Sequence, residues 1–273
     1  MAFACGLLAV TIFSAARAAA DSTQSRVLCK LSSGGPPDLM IQACNELIES
    51  GRVVSSSLAG AYISRGRAFR AKGEYDRAIA DFSQALNNDP GNVLALHMRG
   101  LGLFDKGDND RAIADYTEAI WRAPRDATLY DDRARAYERK TQYERAIADY
   151  SEVIRIVPRP AAALKDRCYA RAISNRELPQ ALDDCNEALR LIPRDLAALD
   201  RRALTYLRLG YYDKAIADYD LVLKFTSANA ASLYGRGVAK KKKGDEANGE
   251  ADITAARLIR PDVVEELIRF GVK

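Results

Sequence analysis

Apolar and small residues recur at helical spacing over most of the chain. In the phrase AIADFSQAL, Ala78, Ile79, Phe82, Ala85 and Leu86 share one face of a helix, with polar residues between them. The same phrase returns as AIADYTEAI at Ala112, AIADYSEVI at Ala146, ALDDCNEAL at Ala181 and AIADYDLVL at Ala215. The steps are 34, 34, 35 and 34 residues. A second helical stretch precedes each phrase, as in residues 62–72. The turn Gly73-Glu74-Tyr75-Asp76 separates the two stretches, and Asn88-Asp89-Pro90 stops the second. Helix, turn, helix and proline at a period of 34 describe an array of αα-hairpins. The extra residue of the fourth step is expected in its turn, residues 174–179.

On these residues the chain resembles the tetratricopeptide repeat family. Gly66, Gly100, Ala134, Cys168, Ala203 and Gly237 take the small site of the first helix. Phe69, Leu103, Tyr137 and Tyr206 take the following large site, from which Arg171 and Lys240 depart. Ala78, Ala112, Ala146, Ala181 and Ala215 stand where the second helix approaches the first, with Gly249 in the last unit. Phe82, Tyr116, Tyr150 and Tyr219 supply the large second-helix side chain, with a smaller Ile253. Pro90, Pro124, Pro158, Pro193 and Pro261 end the units, Ser227 filling the one remaining place. The resemblance implies an all-α fold: a right-handed superhelical solenoid of stacked antiparallel helix pairs. Six units are expected at 59–92, 93–126, 127–160, 161–195, 196–229 and 230–263. A capping helix over 264–273 closes the apolar edge that a terminal repeat leaves open.

The amino end adds a location. Residues 2–16, AFACGLLAVTIFSAA, have the length of a signal-peptide core and are too short to span a bilayer comfortably. Small residues precede a cut after Ala18 or Ala20, so 1–20 is expected to be a secretory signal and the mature chain to be periplasmic or secreted, without a transmembrane segment. An uncleaved anchor is the alternative. Export leaves four cysteines, an even number that suggests two disulfides with three formal pairings. QACNELI at Gln42 echoes DDCNEAL at Asp183, so 21–58 reads as a degenerate unit ahead of the first. Cys44 then matches Cys185, and Cys29 lies in a first helix or its approach, as Cys168 does. The small and large sites face each other across a hairpin, giving the expected pairs Cys29–Cys44 and Cys168–Cys185.

First helices carry arginine at one place, Arg65, Arg99, Arg133, Arg167, Arg202 and Arg236. Second helices carry aspartate at another, Asp81, Asp115, Asp149, Asp184, Asp218 and Asp252. The matched period predicts ion pairs between helices rather than a ladder for a polyanion. Lys240 to Lys243 sit at a helix end, where cations complement the helix dipole.

Charge and chemistry then narrow the function. The 41 basic and 37 acidic residues are intermixed, a balance that argues against a nucleic-acid partner. The single histidine, His97, lies in no catalytic motif, and no cluster has metal-ligand spacing. No cofactor and no enzymatic activity are expected. The resemblance implies that first helices line a concave groove. It places there Ile63, Arg67 and Arg70, then His97, Leu101 and Phe104, then Asp131, Arg135 and Glu138. Lys165 and Tyr169 follow, then Asp200 and Leu204, then Tyr234 and Lys241. This mixed set suits an extended peptide or a partner helix. The asparagines with which some family members clamp a terminal carboxylate are missing, so that activity is not carried over. The expected function is a non-catalytic scaffold holding a protein or peptide partner in its groove. The alternative is an adaptor subunit of a cell-envelope assembly, used through its convex face or ends.

Overall fold

The structure, a computed structural model, describes Cys29, residues 35–51 and residues 55–273. The expected signal segment lies outside these. Fourteen helices and no strand are found among the described residues. They divide into two compact units, meeting in sequence at Pro124 and Arg125.

The first unit contains α1 (Pro37–Glu49), α2 (Ser55–Ala71), α3 (Tyr75–Asn88), α4 (Val93–Lys106) and α5 (Asn109–Arg122), each packed on the next. The second contains four hairpins: α6 (Ala127–Arg139) with α7 (Tyr143–Ile156), α8 (Ala161–Ile173) with α9 (Leu178–Leu191), α10 (Leu196–Arg208) with α11 (Tyr212–Phe225), and α12 (Ala230–Lys242) with α13 (Glu246–Ile259). The last helix, α14 (Pro261–Arg269), packs on both α13 and α12. It begins at Pro261, a residue suited to a first helical turn, ahead of the expected 264. Likewise α2 begins at Ser55, ahead of 59.

The local sequence explains the hairpins. Asn92, Asp108, Asp126, Asp195, Asn229 and Asp245 each accept a backbone N–H at a helix start. The turns inside hairpins need one left-handed residue, which Gly107 supplies at φ 91°. In the fourth expected repeat the turn is longer by one residue, and Asn175 and Glu177 both take positive φ there. That is where the extra residue of the 35-step goes.

Packing within a hairpin joins a large second-helix side chain to a small first-helix site. The rings of Phe82, Tyr116 and Tyr150 are fully buried. A Cβ added at Gly100 would lie 2.5 Å from Cε1 of Tyr116, and one at Gly66 would lie 2.7 Å from Cε1 of Phe82. The glycines are there because the ring uses the space. At the α8–α9 hairpin a covalent bond takes the place of this contact: Cys168 is joined to Cys185. Cys29 is joined to Cys44.

All six arginines meet their aspartates in bidentate pairs. Arg133 gives Nε and Nη2 to the two Asp149 oxygens at 2.8 and 2.7 Å, and the other five follow the same geometry. In several of them the remaining nitrogen reaches back to the preceding hairpin: Arg65 to Asn45, Arg99 to Ser83 at 3.4 Å, Arg167 to Ser151 at 2.9 Å, Arg202 to Asn186 and Arg236 to Asp220. Each such guanidinium therefore ties three helices. Solvent-exposed pairs contribute only about 0–1 kcal/mol. These aspartates are buried, so a misregistered stack would leave carboxylates unpaired out of water, which costs far more.

Candidate functional site

In the second unit α8 touches α10 and α10 touches α12, whereas successive second helices make no comparable contact. First helices therefore converge, and their shared face is the inner one. Side chains from α6, α8, α10 and α12 meet there, with α14 alongside.

On this face most cations are already engaged. Lys165 donates to Asp195 at 2.9 Å. Arg201 bonds Asp166 and lies with its guanidinium carbon 5.3 Å from the centre of the Tyr169 ring. Lys241 pairs with Glu250 at 3.0 Å and Glu246 at 3.4 Å. Arg135 is exposed, 3.8 Å from Asp132. Among the described residues of this face, four acids form no ion pair: Asp131, Glu138, Asp200 and Glu266. Asp200 accepts the hydroxyl of Ser232 instead.

Burial and repulsion act on these acids together. Glu138 is pushed up to about 7, first by burial and then by the nearby Asp166. Asp131 is raised to about 6 by burial, with Asp166 and Asp132 adding to it. Burial also raises Asp200. Tyr150, fully buried on α7, brings its hydroxyl against the Glu138 carboxylate and is held strongly protonated there. That hydroxyl and Glu138 Oε1 are both buried, and neither closes a hydrogen bond of normal geometry.

A cavity of about 280 Å³ opens between two of these acids, walled by Tyr169, Asp200, Leu204, Tyr219, Arg260, Glu266 and Leu267. Its outer wall is α14. After α14 the chain continues over the first helices. Arg208 donates to the carbonyls of Phe270 and Gly271, and the Tyr234 hydroxyl donates to the Val272 carbonyl at 2.9 Å. The Phe270 ring meets Tyr143 edge-on at 5.9 Å.

These positions revise the expected groove. Tyr234 is only 3% exposed, beneath the C-terminal segment, and Leu204 is buried with it, so neither is an open contact. Ile63 is also buried, in the first unit. There Arg70 pairs with Asp105 at 2.6 Å. His97 lies edge-on to Tyr116, their ring centres 6.0 Å apart, and Arg67, Leu101 and Phe104 are half-buried. In the lysine run, Lys240 bonds Asp252 and Lys243 bonds Asp213, so specific ion pairs add to the dipole contribution. Sequence reasoning missed Asp166, Arg201, Arg208 and Glu266. The amphipathic pattern of α14 signalled a cover for the last hairpin. Nothing in it signalled a chain path along the first helices.

Among the described residues no helix is long and apolar enough to cross a membrane. No curated protein sequence matches the chain. Among solved structures, a tetratricopeptide repeat protein from Parabacteroides merdae aligns at 18% identity and a TM-score of 0.67, over 92% of this chain and all of its own. PilW, a type IV pilus biogenesis factor, aligns at 16% identity and 0.65, over 77% of this chain and 98% of its own. PilF of Pseudomonas aeruginosa aligns at 18% identity and 0.62, over 79% and 98%. At these identities the likeness is one of fold. Models of the tetratricopeptide repeat match residues 63–127, 97–161, 132–196 and 196–229, more than half of the chain. The hairpin array and these matches agree, and the chain belongs to the tetratricopeptide repeat family.

Proposed function

We propose that this chain is a non-catalytic interaction scaffold that receives an extended segment of a partner protein on the inner face of its second unit. One observation carries the reading: on that face a cavity of about 280 Å³ is lined by Asp200 and Glu266, and neither acid forms an ion pair among the described residues. Buried or half-buried charge without a partner is costly, and binding surfaces are where such cost is retained. The exposed and half-buried members of the expected groove, Asp131, Arg135, Glu138, Tyr169 and Asp200, remain in this reading. Lys165 and Lys241 act through their ion pairs. No cofactor, metal or nucleic acid is part of it.

The two disulfides accord with a compartment outside the reducing cytosol, and we place the protein in the periplasm or outside the cell. An adaptor role in an envelope assembly is the second reading, favoured by the fold shared with PilF and PilW. Panning a library of random dodecapeptides against the full, oxidised chain separates the two. The groove reading expects binders that are lost on Tyr169→Arg and kept on Trp121→Ser, a change at an exposed residue of the first unit. If no peptide binds, or if the binders ignore Tyr169, the groove reading fails.

A further inference from the structure

The charge balance of this face goes further than a peptide groove in general. The sequence supplies Arg135, Lys165 and Lys241 to it, which reads as mixed sign. The structure engages Lys165 with Asp195 and Lys241 with Glu250 and Glu246, and turns Arg201 onto Asp166. What remains facing the groove without an ion pair is acidic, Asp131 and Glu138 on α6, Asp200 on α10 and Glu266 on α14, with the exposed Arg135 beside the first two. Two further features single out this cluster. The first is Tyr150, fully buried, whose hydroxyl is aimed at Glu138 without closing a hydrogen bond of normal geometry. The second is the cavity between Asp200 and Glu266, with Tyr169 as an aromatic wall.

Resting on the groove reading above, we propose that the second unit recognises a basic side chain of its partner, arginine above lysine, inserted between Asp200 and Glu266 against Tyr169, with Glu138 and Asp131 of the same face adding negative charge nearby. Arg201 shows the chemistry within the protein itself, a guanidinium bonded to Asp166 and lying over the Tyr169 ring. A second guanidinium has planar donors able to meet two carboxylates at once, which an ammonium does less well. The cavity has room for one such side chain.

The groups around the cluster set the pH response. Glu138 is faced by Asp166 of α8, Arg201 of α10, Arg135 of α6 and Tyr150 of α7. Asp131 is faced by Asp166 of α8 and by Asp132 and Arg135 of α6. Asp200 has Arg201 beside it and Ser232 bonded to it, and Arg260, which lines the cavity, pairs with Asp262 at 3.3 Å. Ionised Glu138 and Asp131 are the attracting forms, and burial makes both titrate near neutrality. Binding therefore weakens as pH falls from 8 toward 5.5.

The panning experiment tests this through the sequences it returns. Arginine or lysine is expected at a fixed place in the selected peptides. Replacing that arginine by citrulline, which keeps the shape and removes the charge, is expected to weaken binding at least about tenfold. Glu138→Gln with Asp131→Asn is expected to lose a similar factor, and so, separately, is Asp200→Asn. Melting curves of each variant establish that it is folded. Binders without a basic residue, or indifference to citrulline or to the carboxylate variants, overturn this inference and leave the groove reading standing. No binder at all overturns both.

Discussion

Glu138→Gln isolates the energetic cost of keeping an unpaired carboxylate in the groove. In the folded protein the carboxyl holds its proton up to about pH 7, against an ordinary value of 4.5. Between those pH values the folded state binds more protons than the unfolded one. Stability therefore falls as pH rises through the window, and the loss is complete above pH 7. At about 1.4 kcal/mol per pH unit separating the two titrations, the ceiling is about 3 kcal/mol. Solvent reaching a half-buried side chain reduces this to about 1.5 kcal/mol. Glutamine keeps the shape and never ionises, so the variant should match the parent near pH 4.5 and exceed it by that amount at pH 8. Urea denaturation followed by far-ultraviolet circular dichroism at pH 5, 6, 7 and 8 reads the difference. Asp131, raised in the same direction, contributes to both curves and largely cancels in the comparison. A variant no more stable than the parent at pH 8, or a gap that does not widen with pH, would refute the argument. A protein that tolerates such a cost beside a cavity fits the general trade between stability and binding.

Three other outcomes follow from the packing. Gly100→Ala places a Cβ 2.5 Å from the buried Tyr116 ring. The overpacking cost of about 1–3 kcal/mol outweighs the gain of about 1 kcal/mol in helix propensity, so the urea midpoint should fall. Asp149→Asn leaves Arg133 with a neutral partner at a buried site and should cost about 1–3 kcal/mol, read by the same denaturation; an unchanged midpoint would place the pair among energetically idle surface contacts. Cys168→Ala with Cys185→Ala opens a loop of 17 residues and should cost about 3 kcal/mol, with faster amide hydrogen exchange concentrated in α8 and α9.

The fold was legible because every hairpin repeats the same local instructions. One period carries the alanine contact, the buried ring, the cap and the stop, and an error in reading one unit is corrected by the next. The Arg133–Asp149 pair was legible for the same reason, being 16 residues apart in a repeating pattern. The state of the groove was not. Whether Lys165 is free depends on Asp195, and whether Arg201 is free depends on Asp166, partners about one whole repeat away and outside the repeating phrase. The burial of Tyr234 depends on Val272, 38 residues on, reached by a chain path that amphipathicity alone does not specify. Position within a helix told which side chains point inward. It did not tell which charges were already used.

The bond between Cys168 and Cys185 also has a mechanical side. Pulled from its two ends, an array of this kind lengthens as its hairpins open in succession. The chain between these two sulfurs cannot join in, which withholds about 60 Å of contour length until a reductant is added. One hairpin in the second unit thus behaves as an inextensible link, and it is the hairpin that carries Asp166 and Tyr169 to the groove.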